Sequence, residues 1–412
     1  MKDYKFIDLF AGAGGLSEGF IQRGFTPVAH VELDKPACFT LRTRVAYHYL
    51  RELGNLTPYY DYIQGKLTRR QLYDLIPENI LNTVINAEIG KDNNKIFSKI
   101  DAILGQSKVD LIIGGPPCQA YSIVGRALMK SKEKEDERTT LYVHYGRFLK
   151  KYNPNFFVFE NVPGILSASG GKYFKNLQKY YKSLGYEVQA KLLNAHDFSV
   201  IQQRERVIII GWKKDYDMLY PDFTLEDNIY TRDDIFSDLE PVSPGNSTHV
   251  NTYTTPPTSY LHKTGIREDL DFVCQHLTRP HNDKDLAIYK LAIQLLEKGE
   301  RITNDKIPEK LRTQKNTTSF LDRFKVVGNK PHTMIAHISK DGHHYIHPDI
   351  NQLRSISVRE AARIQSFPDN YYFEGIIESK PRSAAFRQIG NAVPPLMSEK
   401  IAARIMELIK NV

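Results

Sequence analysis

The sequence predicts an α/β fold: a mostly parallel, mixed sheet with a smaller irregular domain inserted late in the chain. Three observations predict it. The chain opens on a strand, a glycine turn, a helix and a strand, at Phe6–Phe10, Ala11–Gly15, Leu16–Arg23 and Pro27–Leu33. A strongly apolar run at Val109–Ile113 reads as a strand buried in a parallel sheet, and the glycines and prolines after it force the chain out of that strand. From Lys213 to Asn351 the regular alternation stops. That stretch is polar, carries scattered prolines, and holds most of the thirteen histidines.

Taken in order, the first helix places Leu16, Phe20 and Ile21 on one side. The stretch from Lys35 to about Gln106 is Tyr-rich and reads as mostly helical. Its candidate core is Leu50, Leu53, Leu72, Leu75, Ile76, Ile80, Leu81 and Ile85. Further strands are expected at Phe156–Phe159 and Arg206–Gly211, with helices at Leu141–Lys151 and Phe174–Leu184. Beyond residue 212 only Leu286–Leu296 reads as a firm helix. After Ser355 the chain turns helical at Val358–Ser366 and ends in an amphipathic helix, Leu396–Ile409.

Composition narrows the class. A chain of 412 residues has room for two or three domains, and 41% apolar with 25% charged residues is ordinary for a globular protein. Three unpatterned cysteines do not make a disulfide framework. No apolar run approaches membrane-spanning length and the start leads straight into a strand, so a cytoplasmic, nucleoid-associated protein is expected. A net charge of +8 favours a polyanionic partner.

Two motifs carry chemistry. Gly12, Gly14 and Gly15 lie between strand and helix, where glycine lets the backbone approach a ligand closely. Glu32 stands about 20 residues on, at the next strand end, where a carboxylate can hold ribose hydroxyls. The pattern lacks the full dinucleotide fingerprint and fits an adenosyl ligand without a pyrophosphate, with S-adenosylmethionine the obvious candidate. The second motif is Gly114–Gln119, in which Gly-Gly-Pro-Pro presents Cys118 beyond a strand end. Alone, such a cysteine is as often an inert buried thiol; beside an electrophilic ligand it becomes a candidate nucleophile. The His343–His347 patch invites a metal, but no cysteine or carboxylate accompanies it at zinc-site spacing.

Six blocks together resemble the cytosine-5 DNA methyltransferases, the prokaryotic enzymes of restriction–modification systems. They are Asp8–Gly15, Gly115–Gln119, Glu160–Val162, Gln203–Arg206, Arg359–Pro368 and Gln388–Asn391, in that family's order. The resemblance spans nearly the whole chain. It implies a sheet of the S-adenosylmethionine-dependent methyltransferase type and a four-part division. Residues 1–212 would form the catalytic and cofactor-binding domain, 213–351 a target recognition domain, 352–383 a recognition-side and hinge segment, and 384–412 a terminal helix returning to the catalytic domain. Carried over, Phe10, Gly12 and Gly14 would line the cofactor pocket, Glu32 would take the ribose and Leu33 would lie against the adenine. Glu88 and Ile89 match less closely where the family has Asp-Ile for the adenine edge. Asn391 and Val393 would close the methionine side. Pro116 stands where many relatives carry Phe, which changes a pocket wall. The stretch 35–106 is longer than a minimal member needs.

The chemistry that the resemblance implies explains the residue types. Carbon 5 of cytosine is a poor nucleophile until a thiolate, here Cys118, adds to carbon 6. Arg204 and Arg206 are the expected sources of positive charge for that thiolate, with Arg206 also on the base carbonyl. Glu160 is placed to protonate or hydrogen-bond ring nitrogen 3. The base must leave the duplex, and Gln119–Arg138 reads as a lid that closes on DNA. Double-stranded DNA is the expected partner, the enzyme is expected to act as a monomer, and a cognate restriction endonuclease would share the system. The competing readings are a transfer RNA cytosine methyltransferase, a catalytically dead DNA-binding relative and a nicotinamide oxidoreductase. The broad region 213–351, the intact Cys118, Glu160 and Arg206, and the incomplete glycine fingerprint weigh against them in turn.

Overall fold

Phe6, Ile7 and Leu9 are fully buried. The strand that carries them, β1 (Tyr4–Leu9), is central in the seven-stranded sheet of the computed structural model, which describes residues 3–117, 141–225, 228–268, 270–312 and 323–411. The other strands are β2 (Phe25–Glu32), β3 (Val84–Asn86), β4 (Leu111–Gly114), β5 (Phe156–Asn161), β6 (Tyr186–Asn194) and β7 (Glu205–Lys213). Their order is β3-β2-β1-β4-β5-β7-β6, parallel except that β7 runs antiparallel to both its neighbours. This is the mostly parallel mixed sheet expected from the sequence.

The principal helices are α1 (Gly15–Gln22), α2 (Lys35–Glu52), α3 (Asn93–Leu104), α4 (Leu141–Tyr152), α5 (Lys172–Ser183), α6 (Asp283–Glu297), α7 (Val358–Ile364), α8 (Arg382–Asn391) and α9 (Pro395–Lys410). Among the described residues no helix is long and apolar enough to cross a membrane. Both faces of the sheet are covered, which is why its strands are apolar without alternation. Ile112, Phe157 and Phe159 face Ile96, Phe148 and Tyr181 of α3, α4 and α5. Ile113, Phe156 and Val158 face Leu16 and Phe20 of α1 and Met397, Ile401 and Ile405 of α9. The chain end lies across its beginning: Gly19 of α1 has α9 backbone where a Cβ would stand, and Ser398 bonds the Leu16 carbonyl.

Residues 213–351 hold little regular structure: a two-stranded antiparallel pair, β8 (Val250–Thr252) and β9 (Phe272–Cys274), the helix α6, and short turns. The helix expected at Leu286–Leu296 runs from Asp283 to Glu297 and is capped by Asn282, whose side chain accepts from Asp285 N–H.

The structure departs from the sequence reading in the tyrosine-rich stretch and beside β7. Residues 84–86 form the edge strand β3 inside a segment read as helical, because three residues are too few to show a period of two. β6 also lies outside the strands the sequence predicts. Tyr186 and Val188 are buried, but the strand pairs on one side only and its remaining residues are at least partly exposed. Leu53 and Leu75, expected in the core, are 62% and 52% exposed, since each caps the C-terminus of a helix where the chain turns into solvent.

The rest of that stretch has a structural use. Short helices at Thr57–Ile63 and Arg69–Asp74 bring Tyr59, Tyr62, Ile63 and Leu72 onto Tyr47 and Leu50 of α2, onto Phe272 and Cys274 of β9, and onto Tyr372. Glu374 is the polar anchor of this contact. It accepts from Thr43 (2.6 Å) and Tyr62 (2.5 Å) and pairs with Arg69 (3.3 Å), while burial pushes its carboxyl above the usual range.

A group of fully buried arginines ties the inserted region to α7 and the segment after it. Arg363 pairs with Asp238 (2.5 Å) and Asp369 (2.6 Å), all three side chains being 0–1% exposed. Arg354 makes a two-pronged pair with Glu360, 2.7 Å on each side. Arg359 donates to the carbonyls of Cys274, Pro368 and Tyr371. Removing one member of a buried, hydrogen-bonded charge group leaves the others uncompensated. Arg363→Met takes a two-pronged partner from both Asp238 and Asp369, leaving Arg267 on the first and Arg359 and Tyr253 on the second, and is expected to destabilise the protein by about 3 kcal/mol, measured as a fall in the denaturant midpoint.

Candidate active site

The strand order reverses between β1 and β4. β2 and β3 lie on one side of that point and β5 on the other, so a crevice opens at the carboxyl ends of β1 and β4. The register puts the chemistry there. Leu9 of β1 is level with Gly114 of β4, and Gly114 with Phe159 of β5. Glu160 and Asn161 lie one step further, opposite Ile208 and Val207 of β7. Because β7 is antiparallel, its first residues arrive at the same edge at which β5 ends.

Glu160 and Arg206 meet on that edge. Arg206 Nε is 2.7 Å from Glu160 Oε1, and both side chains are nearly buried. A second Arg206 nitrogen donates to the Glu205 carbonyl (2.7 Å), which fixes the guanidinium plane. Across from them runs the turn after β4. A Cβ on Gly115 would lie 2.7 Å from Glu160 Oε2, so only glycine lets this turn come so near the carboxylate. Asn161 holds the turn: its Nδ2 donates to the Pro116 carbonyl (3.1 Å), and its Oδ1 accepts from Val162 N–H (3.0 Å). Pro117 is the last described residue before Cys118; that cysteine and the segment Gln119–Arg138 lie outside the described residues.

Arg204 stands apart from this pair. Its guanidinium is fully buried and donates to the carbonyls of Met334, Gly390 and Ala392, so it joins chain segments. The charge beside Glu160 comes from Arg206.

The other predicted residues gather at the β1 and β2 ends. Glu32 is bound by three backbone groups: Gly12 N–H on Oε2 (2.8 Å), and Leu33 and Asp34 N–H on Oε1 (2.9 and 2.7 Å). Burial pushes its carboxyl above the usual value, against those three bonds. A Cβ on Gly12, at φ 55°, would meet nothing within 4 Å, which leaves open space beside Glu32. Phe10 sits at φ 58°, a rare conformation for a bulky side chain and one that marks a shaped loop. Leu33 is 60% exposed at the strand end and offers an apolar surface. Gly14 and Gly15 do different work. The Cβ direction of Gly14 is filled by Tyr371 Oη (2.8 Å) and Leu41, and that of Gly15 by the Val393 carbonyl, so both let α1 pack closely. Glu88 is exposed, with its N–H bound to Asp92, and Ile89 is buried beside Ala87. Asn391 is exposed at the end of α8, and Val393 packs with α1 and α9. An adenosyl group fits this donor set: a carboxylate for two hydroxyls, an exposed leucine for a flat ring, and a glycine with free space between them. Among the described residues no three His, Cys, Asp or Glu side chains stand together as a metal-holding group.

Three supports were not singled out from the sequence. Asn161 follows Glu160 directly, and an amide at a strand end beside a proline-rich turn is a usable signal. Tyr371 bonds the Ala13 carbonyl and fixes the glycine turn, and Gln202 bridges Met334 and Gln365; both contacts span more than 100 residues and leave no local trace.

Comparison with known proteins gives the family and the fold. The family profile described as C-5 cytosine-specific DNA methylase matches residues 4–57 and 74–407, leaving out much of the two short tyrosine-bearing helices. The chain is 41% identical to the type II methyltransferase M.Bpa9945I of Bacillus paralicheniformis, over 98% of both chains. It is 30% identical to the type II methyltransferase M.DdeI of Desulfomicrobium norvegicum, over 98% of this chain and 89% of that one. Its fold is similar to the crystal structure of a putative DNA modification methyltransferase encoded within an Escherichia coli prophage, with a TM-score of 0.65 at 20% identity, covering 99% of this chain and all of that one.

Glu32→Ala is expected to weaken S-adenosylmethionine binding by about 1.5–3 kcal/mol, the range for a hydrogen bond to a charged group. Calorimetry checks it, and unchanged affinity would mean that the ribose is held elsewhere.

Proposed function

This chain belongs to the C-5 cytosine-specific DNA methylases, with relatives of the type II restriction–modification kind, and we propose that it methylates carbon 5 of a cytosine within a specific short duplex DNA sequence. The observation that carries the reading is the meeting of Glu160, Arg206 and the Gly115–Pro117 turn at one sheet edge, one residue ahead of Cys118. Acting in the cytoplasm, the enzyme would protect host DNA from a cognate endonuclease.

The mechanism follows from these groups. A cytosine cannot reach the sheet edge while stacked, so it is extruded into the crevice at a cost of a few kcal/mol. Its carbonyl oxygen takes a hydrogen bond from Arg206, and its nitrogen 3 faces Glu160, two groups already fixed side by side. The Cys118 thiolate adds to carbon 6, and the electron pair displaced onto the ring is stabilised at nitrogen 3 by Glu160 and at the carbonyl by Arg206. Carbon 5 is then nucleophilic. Gly12, Glu32 and Leu33 would hold S-adenosylmethionine, which would supply the methyl group to carbon 5 and leave as S-adenosylhomocysteine. The carbon 5 proton then passes to solvent, and the electron pair it leaves re-forms the ring double bond and expels the Cys118 thiolate. Asn161 keeps the turn that carries Cys118 from drifting away from Glu160.

Residues 213–351 hold none of these groups in their side chains, and they offer polar side chains that can read base edges. They are proposed to choose the target sequence, while the flanking blocks determine that cytosine is methylated.

Cys118→Ala is expected to abolish methyl transfer from labelled S-adenosylmethionine to duplex DNA. The unaltered enzyme should form a stable adduct with DNA containing 5-fluorocytosine, because fluorine cannot leave as a proton does. Full activity in the alanine variant would end the covalent mechanism, and labelling of transfer RNA in place of DNA would end the assigned substrate.

Grafting residues 213–351 into a related methyltransferase should transfer the methylated sequence, read by methylome sequencing of a host that carries the chimera. An active chimera that kept its original sequence would move recognition elsewhere.

A further inference from the structure

Residues 331–335, within the inserted region, run beside 202–204, the residues that lead into β7. Gln203 N–H donates to the Pro331 carbonyl (2.9 Å), and Thr333 Oγ1 donates to the Gln203 carbonyl (2.7 Å). The Met334 peptide is gripped at both ends: Gln202 Oε1 accepts its N–H and Arg204 donates to its carbonyl. The same two side chains reach the end of α8. Gln202 donates to Gln365 (2.8 Å), Gln365 donates to the Ile389 carbonyl (2.6 Å), and Arg204 donates to the Ala392 carbonyl (2.9 Å). Gly390 lies directly on the Ile335 backbone, with no room for a Cβ. Met334 therefore sits between the strand that delivers Arg206 and the turn that delivers Asn391 and Val393.

Tyr345 fixes this segment. Its hydroxyl accepts Ile335 N–H (3.0 Å) and donates to the Thr333 carbonyl (3.0 Å), which brackets Met334. Its ring stacks on His332 with centroids 4.9 Å apart and planes 9° from parallel. It is 3% exposed, and burial pushes its phenol up to about 12, so the hydroxyl keeps the proton it donates at neutral pH. Among the described residues, Tyr345 is the side-chain hydroxyl that bonds the backbone on both sides of Met334, and its hydrogen bonds go to neither Glu160 nor Arg206.

We propose that Tyr345 is a positioning residue for methyl transfer: it sets the backbone on which Gln202 and Arg204 register, and through them the placement of Arg206 against Glu160. The inference rests on the cytosine methylation proposed above. It means that the inserted region supplies part of the catalytic geometry besides any sequence reading.

The test is the single-turnover rate of methyl transfer by the full chain, with tritiated S-adenosylmethionine and unmethylated bacteriophage DNA. Tyr345→Phe keeps the ring stack and loses the hydroxyl. It should slow the rate about tenfold, a modest misplacement being enough, while the KM for S-adenosylmethionine and the affinity for DNA stay within about twofold. Thr333→Val, which removes the bond to Gln203, should slow the same step and carries the test if Tyr345→Phe does not fold. Tyr289→Phe is the control. It removes another buried hydroxyl of the inserted region, bonded to His281 and His343, and should leave the rate unchanged. A normal rate in Tyr345→Phe, or an equal fall in Tyr289→Phe, overturns the inference and leaves the cytosine reading intact. An unaltered enzyme that methylates no DNA cytosine overturns both.

Discussion

Buried arginines must find partners, and much of this structure is arranged around four of them. Arg204, Arg354, Arg359 and Arg363 are essentially without solvent contact. Desolvating a guanidinium costs several kcal/mol unless its hydrogen bonds are filled. Here most are filled by carboxylates and main-chain carbonyls, some from nearby in the chain (Glu360, Asp369, Tyr371) and the rest from distant segments: Asp238, Val242, Cys274, Met334, Ala392. Each arginine can be satisfied in this way only when those segments have come together. The loops of the inserted region carry little regular structure, so this demand substitutes for strand pairing in fixing them against α7. The constraint reaches the first strand end too, since Tyr371, whose carbonyl Arg359 holds, bonds the Ala13 carbonyl within the glycine turn.

A second buried charge group works the same way nearer the start of the chain. Glu18 of α1 accepts two bonds from Arg44 of α2 (2.6 and 2.9 Å), and His48 lies 3.2 Å away. Arg44 also donates to Asn370 and lies over the Tyr47 and Tyr371 rings. Burial opposes the Glu18 charge, but Arg44 and His48 outweigh it and hold the carboxyl well below the usual carboxylate range. α1, α2 and the segment after α7 thus share one ionic contact. The tyrosine-rich helices carry the contact on toward β9.

The sheet edge that carries Glu160 and Arg206 depends on this rigidity in a simple way. Glu160 and Arg206 belong to strands joined by antiparallel pairing up to Asn161 and Val207, which brings their side chains within 2.7 Å. The turn opposite has no such ladder. It is held by two prolines, by Asn161, and by glycines whose missing side chains leave room for Leu9 and Glu160. Geometry of this kind favours chemistry in which a reacting ring must be gripped on one edge and attacked from another.

The sequence by itself determined the parts that depend on neighbours in the chain. The glycine turn between β1 and α1, the apolar strands β4 and β5, the terminal helix, Glu32 and the Glu160 block could all be read locally, because strand burial, turn chemistry and helical spacing act over a few residues. Only the tertiary structure decided the rest. It separated Arg206, which meets Glu160, from Arg204, which closes on carbonyls of residues 334 and 390–392. It separated Gly12, beside open space, from Gly14 and Gly15, which are filled by Tyr371 and Val393. It also turned three residues of an apparent helix into β3 and sent Leu53 and Leu75 to the surface. In each case residues of one type and similar local pattern were sorted by partners far away in the chain, or by where a helix happened to end. Hydrophobic period carries no record of such partners: burial of a charge depends on which distant carbonyl or carboxylate arrives to meet it.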